Sequence, residues 1–234
     1  MMKRLFVRIS AAAISVIVMT AGASAQRQYE PKLYLGGKAG ATFSSMQFSP
    51  HVKQALVQGV TAGMTVRYTE ENIFGLIGEL CITQRGWKEG FEKEDGPLKY
   101  DRKLTYITLP VLCHIYFGSS KVKGFVNLGP SVSYMLSSSI SSNFDYLNPD
   151  TGPDSPFHYR ETEQMALPVK NKMDYGILGG AGVEFVIARR HSIMLEGRYY
   201  FGLGSIFSSK KRDPFSASRC TSIEVSLGYM FRVK

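Results

Sequence analysis

The sequence predicts an all-β fold: an eight-stranded antiparallel up-and-down transmembrane β-barrel preceded by a cleaved signal peptide. Three observations predict it. The N-terminus reads as an export signal, eight long segments alternate in polarity, and the connectors between those segments are long and short by turns. The predicted organisation is a secretory signal over 1–25 and one barrel domain over 26–234.

The signal comes first in the chain. Lys3, Arg4 and Arg8 form a basic start, and an apolar run from Ile9 to Ala21 follows, broken by Ser10, Ser15 and Thr20. It ends in Ala23-Ser24-Ala25, the small-x-small pattern that a signal peptidase accepts. A run of about a dozen residues is too short to span a bilayer as a helix, which needs roughly 20. No cysteine lies beside the expected cleavage site, so lipoprotein processing is not indicated.

Eight segments then alternate with period two, the mark of a strand with two different faces. They are 33–43, 57–68, 73–87, 102–117, 124–137, 173–187, 192–201 and 220–233. The last is typical: Ile223, Val225, Leu227, Tyr229, Phe231 and Val233 alternate with Ser222, Glu224, Ser226, Gly228 and Arg232. Soluble strands have a modal length of about 5–6 residues. A tilted strand needs about 9–11 to cross a bilayer, and these segments are long enough. In the fourth, Pro110 cannot donate to a ladder, so a bulge is expected there.

The connectors 44–56, 88–101, 138–172 and 202–219 are long and polar, while 69–72, 118–123 and 188–191 are short. Long outer loops and tight periplasmic turns are the pattern of outer-membrane barrels. An even strand number places both termini in the periplasm. The sheet must close, because open edges would leave backbone groups unpaired in lipid. Aromatic girdles are expected at both rims. Tyr68, Phe74, Phe117 and Phe125 fall toward the short turns, and Trp87, Phe91, Tyr100, Tyr134, Tyr175 and Phe201 toward the long loops.

Charge and cysteine content narrow the function. The chain carries 28 Lys and Arg against 19 Asp and Glu, and removing Lys3, Arg4 and Arg8 leaves 25 against 19, a balance of +6. The basic residues are scattered, which suits acidic lipid or polysaccharide better than nucleic acid. Cys81, Cys113 and Cys220 are an odd, sparse set within alternating segments, and they read as small hydrophobes rather than a disulfide framework. No Cys-x-x-Cys or His-x-x-x-His spacing suggests a metal site, and no cofactor is expected.

Several stretches carry a family resemblance. Gly36 to Ser44, Phe74 to Leu80 with Gln84-Arg85-Gly86-Trp87, Leu104 to Leu112, Phe125 to Pro130 and Leu227 to Phe231 resemble the PorT-type outer membrane β-barrel family. The resemblance covers essentially all of the mature chain. It implies an eight-stranded barrel in the outer membrane of a Gram-negative bacterium. Named members of that family are associated with a protein-secretion apparatus. One departure is the C-terminus, Phe231-Arg232-Val233-Lys234, whose aromatic residue stands three short of the end.

The chemistry expected of the barrel lies on its inner face. Eight strands enclose a space just wide enough to fill with side chains. Lys38, Arg67, Glu79, Arg85, Glu184, Glu196, Arg198 and Glu224 share the parity opposite the lipid face. Charges held there must pair. A salt-bridge plug is expected, with Glu79, Arg85, Glu196 and Arg198 near its centre; a narrow porin-like channel for small solutes is the alternative.

Catalysis is not expected. His51 and His158 lie in outer loops, His191 in a turn and His114 in mid-strand, and no Gly-x-Ser-x-Gly motif accompanies them. A lipid-modifying barrel enzyme and a soluble lipocalin-like binder remain as further readings. The expected role is a membrane scaffold or an adhesion, interaction or secretion-associated barrel. Its expected partners are outer-membrane lipid, the outer-membrane assembly machinery and an envelope or secretion-system protein. The segment 138–172, with Asn143-Phe144-Asp145-Tyr146 and a Pro- and Asp-rich run from Pro149 to Pro156, is either a surface contact or a flexible cap.

Overall fold

Alternating side chains produce long strands here, and the strands close on themselves. The computed structural model describes residues 31–70, 73–91, 98–152, 155, 157–158, 162–207 and 214–233. The expected signal over 1–25 lies outside the described residues, as do 26–30 of the expected barrel domain.

Eight long strands are present: β1 (Lys32–Ser49), β3 (Val57–Thr69), β4 (Phe74–Glu89), β5 (Tyr100–Gly118), β6 (Val122–Ser142), β7 (Met173–Ala188), β8 (His191–Ser205) and β9 (Ala217–Arg232). A two-residue strand, β2 (Gln54–Ala55), adds to the upper end of β4, and one turn of helix, α1 (Glu163–Ala166), lies in the longest loop. Every long strand is antiparallel to its neighbours in the chain. β1 also pairs with β9, from Tyr34↔Arg232 to Ser49↔Ala217, so no long strand is left with a free edge. The fold is an all-β up-and-down ring of eight strands.

The strands run to 13–21 residues, longer than the alternation alone marks. β1 continues through Ser44-Ser45-Met46-Gln47-Phe48, and β6 through the serines after Leu136. These polar extensions stand beyond what a bilayer needs, roughly 9–11 residues. The loops therefore begin on a raised collar of sheet.

Alternation sorts the faces as expected. Val60, Leu80, Leu109, Leu128, Ile177, Leu195 and Leu227 are exposed on the outside, in keeping with a surface that meets lipid rather than water. The inner face is less uniform. Ile77, Leu112, Leu178, Met194 and Met230 are buried between its polar residues.

Two expectations need correction. The register across Pro110 is continuous, because Gly78↔Val111 and Cys81↔Thr108 lie in the same frame and Pro110 faces Ser131. The irregularity of β5 with β6 lies between Thr105 and Tyr106, opposite the extra residue Leu136. The missing donor interrupts the ladder instead of shifting it: β5 pairs with β4 at Val111 and at Thr108 but not at Pro110 or Leu109, and the frame is the same on both sides of the gap. The girdle is also smaller than read from position alone. Tyr68, Phe74, Phe117, Tyr134 and Tyr175 do point outward, but Trp87, Tyr100 and Phe125 are buried inside. Their parity is that of the interior, and parity outweighs nearness to a rim.

Candidate functional site

The inward-facing charges build the site. Each strand turns alternate side chains to the lumen, so charged residues an even number apart along one strand share the inner face, and those of separate strands meet in the middle. All eight predicted residues lie there, and each is almost wholly buried. They form three layers along the axis.

The layer nearest the short turns centres on Arg67. Its guanidinium donates to both carboxylate oxygens of Glu184, Nη1 to Oε2 at 3.0 Å and Nη2 to Oε1 at 2.7 Å. It also lies over the Tyr34 ring, 4.3 Å from the centroid. Ser192 donates its hydroxyl to Glu184 Oε1 at 2.6 Å. β3 and β7 stand four places apart in a ring of eight, so this pair crosses the full diameter.

The middle layer holds most of the charge. Arg198 donates Nη1 and Nη2 to Oε2 and Oε1 of Glu79, both at 2.7 Å, and its Nη2 lies 2.7 Å from Glu196 Oε2. Lys38 Nζ lies 2.9 Å from Glu79 and 2.8 Å from Glu224. Again the bidentate pair joins opposite strands, β8 to β4. Asn127 continues the layer downward: its Nδ2 donates to Glu196 Oε1 at 2.5 Å, and its Oδ1 lies 2.7 Å from His114 Nδ1. A cavity of about 10 Å³ beside Lys38, Glu79 and Glu196 is about the space of one water.

The third layer, nearest the long loops, is looser. Arg85 Nη1 lies 3.7 Å from Asp174 Oδ2. Tyr200 donates its hydroxyl to the same oxygen at 2.9 Å, and its ring lies 3.8 Å from the Arg85 guanidinium carbon. Arg85 was expected in the central group with Glu79, Glu196 and Arg198. It lies apart instead, with Asp174, Tyr200 and Tyr106, whose ring centroid is 6.0 Å from the guanidinium carbon, because it sits six residues up β4 from Glu79.

Sequence reasoning missed Asp174, His114, Asn127, Tyr34 and Tyr200. The first three share the polar parity, which was the available signal. The tyrosines look like lipid-facing aromatics until their parity is compared with that of Lys38 on β1 and Arg198 on β8. A glycine on the adjacent strand β7, paired directly with Arg198, gives the arginine its room. A Cβ at Gly180 would stand 2.6 Å from Arg198 Cγ.

Above the charges, the loops pack into a second body. Trp87 is fully buried, with Phe48 edge-on at 5.5 Å and Phe207 at 6.1 Å, and Phe215 lies 5.2 Å from Phe48. Phe91, Phe144 and Phe157 form a neighbouring group with centroids 5.1–5.9 Å apart. The segment around α1 is tied to the barrel wall. Tyr100 donates its hydroxyl to the Met165 carbonyl at 2.8 Å, and Arg102 Nη1 donates to the Leu167 carbonyl at 2.7 Å. The described part of this loop is thus a packed cap and not a loose one. Pro153, Asp154 and Pro156 lie outside the described residues.

Among the described residues, no group of three or more His, Cys, Asp or Glu side chains is placed to hold a metal. Cys81, Cys113 and Cys220 are free thiols, the first and last buried and the second on the outer face. His51, His158 and His191 lie in separate connectors or at their edges. His114 stacks inside the barrel on Tyr116, with centroids 5.3 Å apart.

The family match agrees with this architecture. The family described as outer membrane protein beta-barrel domain matches residues 23–208. Among solved structures, OprG from Pseudomonas aeruginosa is similar at 11% identity and TM-score 0.49, over 87% of this chain and 97% of that one. Neisserial surface protein A is similar at 13% identity and TM-score 0.46, over 85% and 96%. Ail, the attachment invasion locus protein of Yersinia pestis, is similar at 13% identity and TM-score 0.40, over 86% and 99%, in a complex with the heparin analogue sucrose octasulfate. No curated protein matches the chain.

Proposed function

This chain belongs to the outer membrane protein beta-barrel domain family, and from that premise we propose that it is a closed, non-enzymatic barrel of a Gram-negative outer membrane that anchors and displays a folded loop surface. Its termini face the periplasm and its long loops face outward. One observation carries the closed reading: two bidentate pairs, Arg67 with Glu184 and Arg198 with Glu79, tie opposite walls of an eight-stranded ring. An ion crossing the lumen would have to part both ties, and each arginine would lose its charge-assisted bonds in a buried interior.

The packed aromatic cap supports the display role. A loop cluster with its own buried core presents a fixed surface, and fixed surfaces bind partners without first paying to order themselves. The partner that suits such a surface is an envelope protein, including one of a secretion system, as the PorT resemblance implies.

The decisive experiment is conductance of the purified protein in a planar lipid bilayer. A closed scaffold leaves the bilayer silent at moderate voltage. Discrete single-channel steps would replace the scaffold reading with that of a narrow pore.

A further inference from the structure

A cleft on the outer wall, at the rim where the long loops begin, is not explained by anchoring or by the closed lumen. β7 and β8 pair upward from their short turn as far as Gly176↔Gly202, and there the ladder ends. Above that point β7 stays with β6 through Ser133↔Asp174 and Tyr134↔Met173, while β8 turns to β9 through Ser205↔Arg219. The two strands part, and a cleft of about 670 Å³ opens between them.

The cleft has two chemically different walls. Met173, Tyr175 and Leu203 continue the apolar outer face, with Met173 and Tyr175 each 54% exposed. Above them, Lys170 and Lys172 stand exposed on either side of Asn171, and among the described lining residues none is acidic. The lysine-bearing segment is pinned. Asn171 donates its backbone N–H to the Ile206 carbonyl at 3.2 Å and its Nδ2 to the Ser205 carbonyl at 2.8 Å. From the other side, the Met135 N–H donates to the Lys172 carbonyl at 2.7 Å. The two exposed lysines therefore line the cleft from a backbone held on both sides.

We propose that this cleft binds a lipid of the outer leaflet whose headgroup carries phosphate. The lysines take the phosphate, and Tyr175 and Leu203 take the first part of an acyl chain. A free phosphate would use only the upper wall. A neutral lipid would use only the lower. The pairing of basic residues with an aromatic at the membrane interface is the arrangement that suits an anionic amphiphile. This inference rests on the outer-membrane reading above, because it needs the outer face of β7 and β8 to lie in lipid.

The test uses the full chain folded in dodecylmaltoside micelles and titrated with diphosphoryl lipid A, with bound lipid read by native mass spectrometry. The double variant Lys170→Gln/Lys172→Gln is expected to bind about thirtyfold more weakly, the combined loss of two surface cations beside an anionic headgroup. Tyr175→Ser is expected to weaken binding as well. Lys121→Gln/Arg190→Gln, at the opposite rim, is expected to bind as the parent does, and inorganic phosphate is not expected to displace the lipid. Parent-like binding by the Lys170/Lys172 variant, an equal loss at the opposite rim, or displacement by phosphate would each overturn the proposal. Folding is scored separately by heat-dependent gel migration. A chain that forms no barrel in micelles overturns the membrane reading itself, whereas a folded barrel that ignores lipid A overturns the cleft alone.

Discussion

Arg198 on β8 and Glu79 on β4 face each other across the whole diameter of the barrel and share two hydrogen bonds of 2.7 Å. Neither residue is near the other in sequence, and the strands that carry them do not touch. The pair acts as a strut between opposite walls. Glu79 also takes Lys38, and Arg198 also takes Glu196, so the strut is the hub of a five-residue group.

That geometry predicts strong coupling. Removing one partner breaks a buried bidentate pair and leaves the other charge with its secondary partner alone, Glu196 for Arg198 or Lys38 for Glu79, which costs about 3–5 kcal/mol. Glu79→Ala and Arg198→Met are each expected to destabilise the barrel by that amount. The double variant should lose much less than their sum, because the two changes together remove the whole bidentate pair and leave neither of its charges behind. Chemical unfolding of the three variants in lipid vesicles checks this. Losses that add to within about 0.5 kcal/mol would show that the two sites are independent.

The layer at Arg85 should be weaker. Its closest carboxylate approach is 3.7 Å, against 2.7 Å for Arg198. Asp174→Asn is therefore expected to cost less than half of what Glu79→Gln costs in the same unfolding measurement. The neutral amide still accepts the Tyr200 hydroxyl, which limits the loss further.

Glycine supplies the space for the strut. Gly180→Ala is expected to cost about 1–3 kcal/mol, as overpacking does, since its Cβ would press on Arg198 Cγ at 2.6 Å and the Gly197 carbonyl at 2.7 Å. Gly197 is the control. A Cβ there meets nothing within 4 Å, so Gly197→Ala should fall within about 0.5 kcal/mol of the parent. Equal losses at the two positions would mean that room for Arg198 is not what Gly180 provides.

The cap should come loose before the barrel does. Trp87→Ala empties the centre of the aromatic group formed with Phe48 and Phe207, at a cost of about 3–5 kcal/mol to that group. The expected result is rapid proteolytic cutting in the loop between β8 and β9, which carries Phe207 and Phe215, while the eight strands stay protected. Cutting as slow as in the parent would place the stability of the cap elsewhere, in the ties of Tyr100 and Arg102 to the α1 segment.

Much of this was legible in the chain. Alternation placed all eight predicted charges inside, because a one-residue change of face would put charge into lipid. The pairs themselves were not legible. Arg85 and Glu79 share a strand and a face, yet they belong to different layers, since six residues carry them roughly 20 Å apart along an extended strand. Phe125 and Trp87 misled because position near a rim was weighed above parity. Pro110 misled because a missing donor was equated with a bulge.

The sequence by itself determined the ring of eight strands, the outward and inward faces, and the content of the lumen. Those follow from period two and from the cost of leaving charge or backbone unpaired in lipid, and both are local. Only the tertiary structure decided that Arg198 meets Glu79 and Arg67 meets Glu184, that the outer loops close over a core of their own, and that β7 and β8 part beside Lys170 and Lys172. Each depends on strand stagger around the ring. Stagger is set by the joint register of all eight strands, and no single segment carries it.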